Sequence, residues 1–174
     1  MGPLIHEDSR RKVESYVEIG REEGATVVIG GKRPGGKPLE CGWFYEPTLL
    51  AGVKAGMRVE QEEIFGPVLS VIRVASLDEA IAVNNDVKYG LSSSLYTRDV
   101  NAAFGAMGEL DTGITYVNAP TIGAEAHLPF GGVKQTGNGH REGGWEVYDF
   151  YSETKVIYVD FSGKLQRAQI DTEI

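Results

Sequence analysis

Glu62-Glu63-Ile64-Phe65-Gly66-Pro67-Val68 sets two adjacent carboxylates and an aromatic ring ahead of a Gly-Pro corner. An apolar run, Val68 to Val74, follows at once. Proline fixes φ and glycine frees it, so the pair marks a loop that turns into a strand. A carboxylate and a ring two residues apart on that loop can be presented together at one edge of a sheet. The carboxylate can accept hydrogen bonds from two vicinal hydroxyls, as acidic residues do on the riboses of dinucleotides. The ring can cover a flat heterocycle. The plainer alternative is a solvated acidic loop with Phe65 tucked into the core.

Downstream the pattern is regular. Val68 to Val74 reads as a continuous apolar strand, and Ser76-Leu77-Asp78-Glu79 as a capping box. The helix it opens carries Leu77, Ala80, Ile81 and Asn84 on one side and closes near Asn85. Leu91 to Thr97 is the next strand. Asp99 caps a second helix whose Val100, Ala103, Phe104 and Met107 share the spacing of one buried face. Gly113 to Val117 is a third strand. Strands and helices alternating through short links predict an α/β fold, a parallel sheet with flanking helices built from successive βαβ units.

Upstream, Asp8 or Glu7 is expected to cap a helix running to about Glu23, with Val13, Tyr16 and Val17 on one face and Gly24 as the stop. Ala25 to Ile29 is a short strand, Lys32 to Gly42 a polar loop, and Trp43 to Leu50 extended chain. After Val117 comes a glycine-rich stretch, Ala119 to Gly144. A helix with Trp145, Tyr148 and Tyr151 follows, then an alternating strand, Lys155 to Phe161. The tail from Ser162 to Ile174 is polar and has no clear period.

The chain has the length of one ordinary domain, 174 residues, of which 41% are hydrophobic and 24% charged. Twenty-five acidic residues against 17 basic ones give a net charge of −8, which disfavours a nucleic-acid partner. No apolar run reaches the length of a membrane span, and no basic-then-apolar leader opens the chain. One cysteine excludes an internal disulfide, and the expected compartment is a reducing cytoplasm. His6, His127 and His140 are far apart and form no ligand pair, so no metal site is expected. Gly137-Asn138-Gly139-His140-Arg141-Glu142 starts like a dinucleotide fingerprint, but Glu142 stands where its last glycine belongs and no βαβ unit opens there. Gly30-Gly31-Lys32 lacks the spacing of a phosphate-binding loop.

The seven residues Glu62 to Val68 resemble a signature of the NAD(P)-dependent aldehyde dehydrogenase superfamily. Pro129-Phe130-Gly131-Gly132-Val133-Lys134 is similar to a second one, continuing through Thr136-Gly137-Asn138-Gly139-His140-Arg141-Glu142. Tyr89-Gly90-Leu91 and Gly113-Ile114-Thr115-Tyr116-Val117-Asn118 agree in order and spacing. The resemblance covers essentially the whole chain but only the C-terminal part of a family subunit. It implies residues 1–152 as the C-terminal part of the catalytic domain and 153–174 as an oligomerisation strand and tail. It assigns Glu63 to the hydroxyls of the nicotinamide ribose and Phe65 to the nicotinamide ring. Asn118 and the loop Pro120 to Leu128 leave the carboxyl end of a strand, where ligands collect in open parallel sheets. The resemblance adds Thr121, Ile122 and Phe130 as lining of the aldehyde tunnel, with core packing the alternative for Phe130. The whole assignment expects Glu63 and Phe65 to lie at the surface, near the carboxyl rim of the sheet.

Family chemistry is covalent: a cysteine thiolate attacks the aldehyde, hydride passes to NAD or NADP, and a glutamate-activated water releases the acid. Cys41 sits in Leu39-Glu40-Cys41-Gly42-Trp43, unlike the family's Gly-Gln-x-Cys loop, and Glu40 beside it disfavours a thiolate. No segment matches Glu-Leu-Gly-Gly, which carries the family's base. No residue of this chain is therefore assigned a catalytic role. The expectation is a fragment of an aldehyde dehydrogenase, inactive alone, binding neither NAD nor NADP by itself and meeting an aldehyde only in a complete subunit. Self-association through exposed edges is expected. A free-standing binding or assembly module derived from the family is the alternative, and an unrelated α/β domain with accidental matches a third.

Overall fold

The computed structural model describes residues 1–37, 39–123 and 125–164. Helix α1 (Glu7–Glu22) leads into β1 (Thr26–Ile29), which pairs antiparallel with β2 (Thr48–Val53). After a one-turn helix, α2 (Arg58–Gln61), the chain enters β3 (Val68–Ile72), parallel to β2 with Thr48 opposite Val68. Then come α3 (Leu77–Asp86), β4 (Tyr89–Gly90), β5 (Ser92–Leu95), α4 (Val100–Glu109), β6 (Ile114–Val117), β7 (Val133–Lys134) and α5 (Glu146–Tyr151).

The α/β reading holds, with helices flanking strands and the β5–α4–β6 unit pairing parallel. Parallel pairing also joins β2 and β3, within a mixed sheet. Among the described residues the strands form three small sheets, β1-β2-β3, β4-β7 and β5-β6, two of them with antiparallel pairs. The expected strand from Val68 stops at Ile72 and is covered on one face only: Val68 and Ile72 pack on the core, whereas Leu69 and Val71 are exposed.

The main core joins α1, β2 and α2 through Val13, Val17, Leu50, Val53 and Val59, and Ile64 of the acidic loop belongs to it. His6, not Asp8 or Glu7, caps α1, its Nδ1 accepting from the Ser9 N–H at 3.1 Å. Glu7 and Asp8 lie inside the first turn, where their charge suits the helix dipole. Gly24 ends the helix as expected, with φ of 98°. Ser76 accepts from the Glu79 N–H at 3.1 Å, but Glu79 reaches back one residue further, to the Ala75 N–H at 2.6 Å. Asp99 caps α4 through the N–H groups of Asn101 and Ala102.

Helix α4 is rotated from its expected pose. Ala103 and Ala106 are the buried residues, while Val100, Phe104 (71% exposed) and Met107 look outward. The inner face thus carries two small side chains, and the larger residues are on the exposed side. Lys155 to Phe161 forms no strand, because no partner ladder meets it among the described residues; Val156, Tyr158 and Phe161 are exposed. Most of the polar tail, residues 165–174, lies outside the described residues.

Candidate functional site

The two adjacent acids have different surroundings. Glu62 ends α2 and is held at both oxygens: Arg58 donates from Nε and Nη2 at 3.0 Å each, and the Tyr16 hydroxyl donates at 2.5 Å. These donors stabilise the ionised form, Arg58 most, and bring the Glu62 carboxyl down from 4.5 to about 2. The Tyr16 phenol is raised in turn, chiefly by its hydrogen bond to that carboxylate. Glu63 is exposed, and among the described residues its carboxylate has no hydrogen-bond or ion-pair partner; only its carbonyl is held, by Lys12 Nζ at 2.8 Å.

Ile64 anchors the loop in the core. Phe65 follows with φ of 57°, a left-handed conformation rare for a bulky residue, and its ring is 79% exposed. So the plain alternative fails in one half: the loop is solvated, but Phe65 is not tucked away. Gly66 then presses against α1, where a Cβ would lie 2.3 Å from Val13 Cγ2. Glu62, Glu63, Ile64, Phe65 and Ser70 are among the residues bordering an open cleft of about 450 Å³.

This loop sits at the amino end of β3, beside the amino end of its parallel partner β2. The carboxyl-rim expectation thus fails for Glu63 and Phe65 as far as the β2–β3 pair is concerned, because the pair precedes its strand instead of following it. The surface expectation holds for both. Their chemistry fits the ribose-and-ring end of a nicotinamide nucleotide, with an unpaired acceptor beside an exposed apolar plane. It does not extend to a pyrophosphate: the cations nearest the loop, Lys12 and Arg58, are already bound to the Glu63 carbonyl and to Glu62.

Asn118 does leave the carboxyl end of β6. It too has a positive φ, 55°, and its side-chain amide clasps Thr97 at both N–H and C=O, 2.9 Å each. Thr121 and Ile122 (78% exposed) follow on a surface loop that the Tyr116 hydroxyl pins by donating to the Gly123 carbonyl at 2.7 Å. Phe130 is 37% exposed and borders a separate cavity of about 480 Å³ with His140, Arg141, Phe150 and Tyr151. Its backbone bridges Glu142, and a Cβ on Gly113 would fall 1.9 Å from the Gly131 carbonyl oxygen, so the two motif loops lie in contact. Glu63 and Phe65 therefore share one cleft, Phe130 lines another, and neither cleft includes Thr121 or Ile122. Among the described residues no cluster of His, Cys, Asp or Glu could hold a metal, and no helix is long and apolar enough to cross a membrane. Cys41 is exposed on a 3-10 turn.

Arg58 and Lys12 escaped the sequence reading, and Tyr16 was read only as part of a helix face, not as a partner of Glu62. The Arg58–Glu62 pair had a local signal, opposite charges at i and i+4. Nothing local shows that α1 docks on the loop.

The aldehyde dehydrogenase family profile matches residues 1–157. An alpha-ketoglutarate semialdehyde dehydrogenase of Haloferax volcanii is 44% identical over 91% of the chain, and a betaine aldehyde dehydrogenase of Brucella anthropi is 40% identical over 92%. The chain spans about a third of the length of these relatives, 33% and 32%. Among solved structures, the Mycobacterium tuberculosis aldehyde dehydrogenase complexed with NAD+ superposes with a TM-score of 0.86 at 38% identity, covering 95% of this chain and 33% of that one. Betaine aldehyde dehydrogenase from Staphylococcus aureus in complex with NAD+ gives 0.83 at 39% identity, over 87% and 30%. Matched along most of its length in both sequence and fold, the chain belongs to the aldehyde dehydrogenase family.

Proposed function

We propose that this chain supplies the nicotinamide-facing edge and one wall of the substrate approach in an enzyme that oxidises an aldehyde to a carboxylic acid with NAD or NADP. The observation that carries this is the pairing of a Glu63 carboxylate that has no partner among the described residues with an exposed Phe65 on one firmly braced loop. In this reading Glu63 accepts from the ribose hydroxyls, Phe65 covers one face of the nicotinamide, and Thr121, Ile122 and Phe130 border the aldehyde. When bound, the nicotinamide ring supplies the hydride acceptor. Relatives whose structures are named as NAD+ complexes support the cofactor class. Relatives named for alpha-ketoglutarate semialdehyde and for betaine aldehyde support an aldehyde as the substrate class.

The 174 residues alone are proposed to lack turnover. Cys41 has an acidic neighbour where a nucleophile needs positive surroundings, and no Gly-Gln-x-Cys or Glu-Leu-Gly-Gly segment occurs. The chain incubated with NAD or NADP and a panel of semialdehydes is expected to give no reduced nicotinamide; protein-dependent absorbance of the reduced cofactor would refute this. The site is tested separately with nicotinamide mononucleotide at millimolar concentration. Amide shifts are expected to centre on residues 62–66, and Glu63→Gln should weaken binding about tenfold by removing a charged acceptor. Shifts that avoid this loop would end the assignment.

A further inference from the structure

Two neighbouring glutamates are chemically alike, so which one meets a ligand depends on what restrains the other. We infer that Tyr16 and Arg58, acting through Glu62, are positioning residues that turn Glu63 outward and keep Phe65 in its left-handed conformation; this rests on the reading of Glu63 and Phe65 given above. Glu62 is extended, with φ −112° and ψ 144°. Successive side chains of extended backbone point to opposite sides, so tying Glu62 toward α1 and α2 sends Glu63 away from them.

The remaining restraints act on the residues flanking Phe65. Lys12 holds the Glu63 carbonyl, Ile64 is buried, and Gly66 is wedged against Val13. Phe65 itself is largely exposed, and it is the residue that takes the strained φ. The donors are themselves fixed: Arg58 and Lys12 lie over the Tyr16 ring at 5.6 and 5.7 Å from its centroid. A purely structural staple between α1 and α2 would hold the helices together without setting the conformation of Phe65.

The test uses the isotopically labelled 174-residue chain and the variant Tyr16→Phe, which removes one hydroxyl and keeps the ring. Two quantities are read: the HN–Hα coupling of Phe65 in free protein, which reports φ, and the affinity for nicotinamide mononucleotide. Methyl signals of Leu50 and Val53 monitor the core. The expected result is a changed Phe65 coupling and about tenfold weaker binding, with the core signals unmoved. Parental coupling and affinity in the variant would overturn the positioning role. If the parent chain itself ignores the nucleotide, the reading of Glu63 and Phe65 fails, and the coupling still decides whether Tyr16 positions the loop. Should Tyr16→Phe unfold, Arg58→Met, at a half-exposed side chain, is read by the same two outcomes.

Discussion

The Tyr16 hydroxyl and the Glu62 carboxylate, 46 residues apart in the chain, meet at 2.5 Å and fasten helix α1 to the loop that carries Glu63 and Phe65. Because Glu62 also accepts two bonds from Arg58, its ionised form is favoured in the folded protein, and its carboxyl titrates near 2 instead of 4.5. A depressed folded value contributes stability that is present above about 4.5 and is lost as pH falls toward 2. The Tyr16 phenol is shifted upward, so its contribution holds below pH 10 and fades only as pH rises past that point. The Glu62 side-chain carbonyl signal is expected to stay unchanged from pH 7 to pH 4 and to move only in more acid solution. In Arg58→Met that movement should begin at higher pH.

Gly66→Ala is expected to destabilise the chain. The new Cβ would meet Val13 Cγ2 at 2.3 Å, and Val13 is fully buried, so it has no space to yield. Overpacking of this kind costs about 1–3 kcal/mol, seen as a lower denaturant midpoint at unchanged slope. Gly24→Ala, where a Cβ meets nothing within 4 Å, should lose only the smaller penalty of its positive φ.

Self-association should depend on concentration and on identifiable residues. Val156, Ile157, Tyr158, Val159 and Phe161 lie exposed in a segment without a strand partner among the described residues. The outer face of α4 adds Val100, Phe104 and Met107. Light scattering is expected to give a mass above that of one chain, falling in Val156→Lys/Tyr158→Lys if the C-terminal segment pairs. It should fall in Phe104→Ser if α4 does. A monomer at every accessible concentration would contradict both.

These sites also separate what is local from what is not. The Ser76 and Asp99 caps and the ends of α1 and α3 were legible because each depends on residues within about one helical turn. The buried face of α4 was not. Spacing defines a stripe of large residues but does not reveal whether the neighbouring surface exists to cover it, and here Ala103 and Ala106 face inward instead. A continuous apolar run such as Val68 to Val74 suggests cover on both faces, yet Leu69 and Val71 are exposed. The difference between Glu62 and Glu63 was only half visible: the Arg58–Glu62 pair has a local i, i+4 signal, but the Tyr16 hydroxyl reaches Glu62 from a distant helix. Phe65 could be placed on a loop by the Gly-Pro corner, but nothing in the local sequence signals its φ of 57°.

That left-handed phenylalanine sets thermal endurance against usefulness at one position. A glycine there would relieve the strained backbone, at some cost in chain entropy, while removing the ring that the proposed function sets against the nicotinamide. Selection for heat resistance alone should therefore drift toward Phe65→Gly or Phe65→Asn, whereas selection for cofactor-dependent growth in a complete subunit should restore the aromatic.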